Sequence, residues 1–292
     1  MRRIEAGLGR CAALALVAVA LAAAALPANA QSPADLARER ADYTAWLASA
    51  PTSPLATLAQ QPIGSGLRLG PAEADIPLAG VGAHRIVERD GAVRLESAAG
   101  SRVLPRGRPA PLGRYTITAD GPPGRAVLTV FGPRRSGKFP TYYPPDSALV
   151  FVGPLVAPAR PGTARVLGVD GIEVEAAEAG SVLVPIGGYR VRLRVLRLPT
   201  AGGEESELEI FFRDATNGQG SYPAGRFVAL LPAPGGRFRL DFNRARNPFC
   251  AYSSAYPCPA PWRDNSIPAP VAAGERYEPG ALTAPESAPR SR

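Results

Sequence analysis

Proline and glycine interrupt this chain so often, 33 and 31 times in 292 residues, that few stretches are left for a helix of four turns. Proline lacks a backbone donor and clashes inside a helix, and glycine loses the most conformational freedom on ordering. Short strands joined by turns are therefore the default. The expected class is all-β, an antiparallel sandwich or barrel, with one N-terminal helix.

That helix is announced by Ser32-Pro33-Ala34-Asp35, a cap-capable serine followed by proline at the first helical position and an acid in the first turn. Leu36, Tyr43, Leu47 and Ala50 fall on one side at helical spacing, and Pro51 and Pro54 end it. Residues 31–56 are thus expected to form a helix and strap packed on a sheet. Over 57–112 short apolar runs alternate with turn residues: Leu67 to Leu69, Asp75 to Leu78, His84 to Glu88, Ala92 to Glu96 and Ser101 to Leu104. This small β-rich stretch resembles a forkhead-associated β-sandwich in its spacing. It lacks the serine and arginine pairing such modules use for phosphothreonine, so no ligand is carried over. Longer strands begin at Tyr115, and 113–277 reads as the main β domain with a proline-rich C-terminal segment. Residues 278–292 lack periodicity and are expected to be disordered.

The first thirty residues read as a cleavable bacterial signal peptide. Arg2, Arg3 and Arg10 precede or flank an uncharged run from Cys11 to Leu26, Pro27 breaks it, and Ala28-Asn29-Ala30 offers small residues for cleavage before Gln31. The run is shorter than the roughly twenty residues a membrane span needs. The expected protein is periplasmic or secreted and, once cleaved, not held by a membrane. Cleavage removes three arginines and one glutamate from a formal net charge of +8. The remaining basic excess accompanies an Ala-, Gly-, Pro- and Arg-rich composition, and no nucleic-acid partner is expected. An envelope component or a small ligand is.

Tyr189, Val191, Leu193 and Val195 alternate with Arg190, Arg192 and Arg194, so one face of this strand is core and the other carries three cations. Ile172-Glu173-Val174-Glu175 and Glu207-Leu208-Glu209-Ile210 alternate with acids outward, and cross-strand pairing between these acids and the arginines is expected.

Gly132-Pro133-Arg134-Arg135-Ser136-Gly137-Lys138-Phe139 nearly spells a nucleotide P-loop. Phe139 offers no hydroxyl to magnesium, and Pro140, Pro144 and Pro145 forbid the helix that must follow, so a hairpin connection is expected. No Gly-x-Ser-x-Gly, His-Glu-x-x-His or Cys-x-x-Cys motif is present. His84, the single histidine, starts a strand and reads as structural. No cofactor and no metal is expected. The two cysteines of the mature chain, Cys250 and Cys258, are expected to form a disulfide in an oxidising compartment.

The most distinctive stretch runs Phe212-Arg213-Asp214-Ala215-Thr216-Asn217-Gly218, Tyr222, Gly225-Arg226, Leu240-Asp241-Phe242-Asn243, Asn247-Pro248, Cys250-Ala251-Tyr252, Cys258-Pro259, Asn265 and Ala273-Gly274-Glu275. This series resembles the bacterial domain-of-unknown-function family 1684, as do Ser53-Pro54-Leu55 and the run from Phe139 to Asp146. It departs from the family pattern at Pro223-Ala224, Phe249 and Trp262-Arg263-Asp264. The resemblance implies a shared fold and a shared polar centre, and no activity.

Read without the family, Asp214 and Arg226 end two strands joined by a Gly-rich loop, where a bidentate pair can form. Asp214, Tyr222, Arg226, Asp241, Asn243 and Asn247 then either line a cleft or cap turns and tie down the proline-rich C-terminal segment. Three functions stay open. The leading one is a non-catalytic binding or envelope-associated module using Asp214, Tyr222, Asn243 and Asn247. The second is a hydrolase-like enzyme with Asp241 as general acid or base, and with Arg226 and the asparagines holding an anionic or carbohydrate-like substrate. The third is a protein-interaction scaffold.

Overall fold

The computed structural model, which describes residues 33–135, 137–200, 206–260, 262 and 264–278, begins with the helix that the sequence announces. The expected leader, and the expected tail beyond residue 278, lie outside the described residues. Helix α1 spans Pro33–Ser49 with Asp35 in its first turn and Leu36 and Leu47 buried. Ser53 finishes it: its hydroxyl donates to the Leu47 carbonyl at 2.7 Å and accepts from the Leu55 amide at 3.2 Å. Leu47 thereby joins Leu55, Tyr222, Cys250, Tyr252 and Tyr256 in a cluster that pins the helix to the C-terminal half of the chain.

Nine strands follow: β1 (Thr57–Pro62), β2 (Leu67–Gly70), β3 (Ile76–Pro77), β4 (His84–Arg89), β5 (Ala92–Ser97), β6 (Gly100–Leu104), β7 (Ala110–Leu112), β8 (Tyr115–Asp120) and β9 (Val127–Phe131). They form two sheets, ordered β3-β2-β4-β5-β6 and β1-β9-β8-β7. Alternate side chains of both sheets, among them Leu69, Ile86, Val93, Ile117 and Leu128, share one core. The expected boundary at 112/113 falls inside a hairpin, since Leu112 stands opposite Tyr115. Longer strands begin there, but strand length does not mark a boundary; pairing and the shared core place β8 and β9 with the strands before them.

The remaining strands are β10 (Val150–Gly153), β11 (Thr163–Leu167), β12 (Glu173–Ile186), β13 (Tyr189–Pro199), β14 (Ser206–Phe212), β15 (Arg226–Ala233) and β16 (Arg237–Asp241). They make one antiparallel sheet ordered β10-β16-β15-β14-β13-β12-β11. Val174 to Ala176 and Val182 to Ile186 belong to a single strand, β12, bent by a bulge between Glu178 and Gly180. Gly180 is required there: at φ 139° a Cβ would meet the Val156 carbonyl oxygen at 2.2 Å. Across the bulge β13 changes which core it serves. Val191, Leu193 and Val195 pack with Ile210, Phe212 and Phe242, whereas Leu196 and Leu198 pack with Phe211, Phe227 and Trp262 on the other side. Among the described residues none of the three sheets closes into a barrel.

Two local expectations are corrected. Residues 132–146 are not a hairpin connection. They carry the chain from β9, which pairs with β1 and β8, to β10, which pairs with β16, and their prolines leave few donors for a ladder. The arginine stripe is not flanked by acids either. Register decides this: Glu173 and Glu175 stand opposite β11, Glu207 and Glu209 stand opposite Leu198 and Leu196, and Arg190, Arg192 and Arg194 face Pro185, Leu183 and Ser181. Arg194 instead pairs with Glu178 at 3.0 Å, and Arg192 donates to the Ser181 hydroxyl at 3.0 Å.

Beyond β16 the chain forms two 3-10 turns, Phe242–Arg244 and Phe249–Ala251, and then an extended segment that crosses the inner face of the sheet. Ile267, Ala269, Val271 and Ala273 alternate into the core there. What fastens this segment is mostly side-chain chemistry.

Candidate ligand-binding site

The fastening begins where β14 ends and β15 begins. Gly225, at φ 112°, lies where a Cβ would meet the Phe212 carbonyl oxygen at 2.6 Å, and the tight approach sets Arg226 opposite Phe212 in the ladder. Arg226 is wholly buried. Its Nη2 donates to Asp214 Oδ2 at 2.8 Å and to the Val271 carbonyl at 2.8 Å, and its Nη1 donates to the carbonyls of Ala273 and Glu275. The pair with Asp214 is made through one oxygen and not two. The other oxygen, Oδ1, accepts from the amide and hydroxyl of Thr216 and from the Val271 amide. A buried charge survives only when paired and hydrogen-bonded, and here the bonding leaves little room for a ligand.

Asp241 is committed elsewhere. It is held by Arg239 at 3.1 Å and by Arg244, and its Oδ1 accepts from the amide and side chain of Asn243. Asn243 in turn exchanges two bonds with the Asp146 backbone, 2.8 and 2.9 Å. The expected constellation of Asp241 with Arg226 therefore separates into two anchoring groups, Asp214 with Arg226 and Asp241 with Arg239 and Arg244. Tyr222 donates to the Cys250 carbonyl at 3.3 Å and stacks edge-on to Tyr277. Cys250 and Cys258 come to disulfide distance beside it, their Cα atoms 5.5 Å apart.

Asn247 leads to a different centre. Its amide donates to Glu275 Oε2 at 2.8 Å, and the Tyr252 hydroxyl donates to the same oxygen at 2.6 Å. Burial pushes the Glu275 carboxyl up to about 7, against the opposing pull of these two bonds and of the Arg246 and Arg226 charges. The Tyr252 hydroxyl is raised by burial and by Glu275. Tyr43 of α1 adds to that shift by its proximity and by a hydrogen-bond interaction with the Tyr252 hydroxyl.

Glu275 and Tyr43 meet at a cavity of about 170 Å³ under α1. The helix supplies Leu36, Glu39, Arg40 and Tyr43; the opposite wall is Tyr142, Asn243 to Arg246 and Glu275. Arg40 lies over the Tyr142 ring, 4.3 Å from its centre. A second cavity, about 560 Å³, lies where Asp120, Asp170 and Arg106 approach Glu207, Glu209 and Phe249. Burial raises the Asp170 carboxyl to about 6. Arg246 lines both cavities and is paired with Glu209 at 2.6 Å.

Residues 139–276 match a family described as proteins of unknown function, DUF1684. This stretch of the chain belongs to the family. A solution NMR structure of an uncharacterized protein from Haloarcula marismortui is 30% identical, the alignment covering 49% of this chain and 78% of that one with a TM-score of 0.42. No curated protein matches the chain. The DUF1684 stretch includes Asp214, Tyr222, Arg226, Asp241, Asn243, Asn247 and both cysteines, and it also supplies the Tyr142, Arg246 and Glu275 side of the smaller cavity. Helix α1 closes that cavity from outside the DUF1684 match.

Of the residues expected at a site, Asn243 alone lines the smaller cavity; Asn247 orients Glu275, and the others anchor the frame. Sequence reading missed Arg40, Tyr43, Tyr142 and Glu275. Tyr43 was legible only as part of an apolar helix face, and Glu275 only as the end of a family motif. The signal that unites them is the alignment of α1 across residue 275, a separation no local pattern reveals.

Proposed function

We propose that the protein is an exported, non-catalytic binding protein of the cell envelope that holds a small ligand in the cavity between α1 and the DUF1684 core. The observation that carries this reading is the cavity of about 170 Å³ between α1 and the DUF1684 stretch, where apolar Leu36 and Ala245 and the Tyr142 ring meet Arg40 and Glu275. A concave site with apolar walls and a few convergent polar groups is the usual setting for a small ligand. The leader-like first thirty residues support export. The hydrolase-like alternative loses its basis, because Asp241 and Arg226 are each consumed by structural partners.

The test is a thermal-shift screen of the mature protein against neutral, cationic and anionic small molecules, run in parallel with Leu36→Trp, which places an indole in the cavity wall. At least one compound is expected to raise the melting temperature of the wild type and not of the variant. A screen in which no compound acts, or in which every active compound acts equally on Leu36→Trp, refutes the reading.

A further inference from the structure

The larger cavity lies between the end of β8 and the strands β12, β13 and β14, and its volume of about 560 Å³ falls within the roughly 300–1,000 Å³ of small-molecule sites. Its charge opposes that of the protein. The chain carries a formal net charge of +8, yet five carboxylates line this cavity, Asp120, Asp170, Glu175, Glu207 and Glu209, against two guanidinium groups, Arg106 and Arg246. Both guanidinium groups are already held: Arg106 by Glu88 and by the Gly121 carbonyl at 2.7 Å, Arg246 by Glu209.

Asp170 stands apart from these pairs. Burial raises its carboxyl to about 6, and the charges of Asp120 and Glu209 add to the rise. The residue is not sealed in packing, since it keeps accessible surface and lines the cavity. Its Oδ1 accepts from the Ile172 amide at 3.1 Å, and among the described residues no side-chain donor and no ion-pair cation meets the carboxylate. The turn that presents it is fixed from two sides. The Phe249 amide donates to the Val169 carbonyl at 2.7 Å, and the Gln60 side chain of β1 donates to the Asp170 carbonyl at 3.1 Å. A carboxylate held in place, drawn partly out of water and without a counter-charge, is stabilised by an incoming cation.

Two kinds of cation supply such a charge. A metal ion needs several ligands converging on one point, and among the described residues no three carboxylates do so. Much of the remaining wall is hydrocarbon, with Val174 of β12 and Leu198 of β13 beside Phe249, which suits an organic body. We infer that this cavity binds a small organic amine, its ammonium group on Asp170 and its hydrocarbon part against Val174, Leu198 and Phe249. The exposed Glu175 and Glu207 draw the cation in. This site shares only Arg246 with the lining of the α1 cavity, and the inference does not rest on the binding function proposed there.

The experiment is calorimetric titration of the protein with benzylamine and spermidine, against benzyl alcohol and calcium ion. At least one amine is expected to saturate, with the alcohol and calcium at least tenfold weaker. Asp170→Asn keeps an oxygen for the Ile172 amide and removes the charge, so it is expected to hold the melting temperature at pH 7.5 and to weaken the amine at least tenfold. Glu207→Gln, at an exposed position, is expected to weaken it at least twofold. Leu36→Trp, in the other cavity, is expected to leave amine affinity unchanged. Four results would each overturn the assignment: neither amine saturating, benzyl alcohol or calcium binding as tightly as the amines, Asp170→Asn with unchanged affinity, or a loss of amine binding in Leu36→Trp. None of the first three touches the reading of the α1 cavity, which stands or falls on its own screen.

Discussion

The Arg226 guanidinium and the Asp214 carboxylate form an ion pair at 2.8 Å with no exposed surface on either side chain. The guanidinium reaches on to the carbonyls of Val271, Ala273 and Glu275, so this single pair joins two strand ends to the segment that carries Glu275. Arg226→Ala is expected to destabilise the fold by about 3–5 kcal/mol, because it strands a buried carboxylate and frees three carbonyls. Urea unfolding followed by tryptophan fluorescence measures it, and a loss under about 1 kcal/mol would contradict the anchoring role.

Asp241→Asn keeps the shape but removes the charge that faces Arg239 and Arg244. The expected loss is about 1.5–3 kcal/mol, the range for hydrogen bonds to charged groups. Ligand affinity at the α1 cavity should move much less than stability. A stable variant with abolished ligand binding would return Asp241 to the list of site residues.

The pH dependence follows from two carboxyls held above their ordinary values, Glu275 at about 7 and Asp170 at about 6. In the folded state each binds its proton more tightly than in the unfolded chain. Their contribution is therefore fully present below about pH 4, and is lost as pH rises through 6 and 7. For Glu275 the change is on the order of 3 kcal/mol. Glu275→Gln is expected to flatten the fall of stability between pH 5 and 7.5, leaving the smaller part due to Asp170, and to exceed the wild type at pH 8. An unchanged slope would show that Glu275 titrates normally.

Cys250 and Cys258, already at bonding distance, are expected to be oxidised in the exported protein. Labelling under denaturing, non-reducing conditions should find no reactive thiol in the mature chain, and two after reductant. Closing this nine-residue loop is worth about 2.5 kcal/mol in the chain-entropy treatment, so the Cys250→Ser, Cys258→Ser protein should melt several degrees lower. Two reactive thiols before reduction would refute the bridge.

The Arg194 pair with Glu178 is partly exposed, 28% and 26%. A double-mutant cycle is expected to give about 0.2–1 kcal/mol, falling in high salt. A larger, salt-independent coupling would mean that this face is covered by something else in solution.

Much of the fold was readable because strand alternation and turn residues are local signals. Val191, Leu193 and Val195 fall inward against Arg190 and Arg192 just as their spacing indicates. Register was not readable: nothing near Glu173 says that a bulge at Gly180 will carry it past the arginines and oppose it to β11. The polar cluster was visible as residue types, and the pairing of Asp214 with Arg226 could be anticipated from the short loop between them. Its division from Asp241 could not, since that depends on Arg239 and Arg244 reaching the carboxylate. The cavity was least legible. It is made by Arg40 meeting Asn243, 203 residues away, and by Tyr43 approaching Glu275.

Arg226 also fixes when the molecule can be completed. It lies in β15, but the carbonyls that complete its shell belong to residues 271 to 275, synthesised some 45 to 49 residues after it. Until those residues emerge, the guanidinium faces an inner sheet surface with no acceptors beyond Asp214, and the seven-stranded sheet lacks the row of side chains that covers it. A nascent chain therefore stays short of its native state until residue 275 is available, and the long sheet spends the interval without its lock.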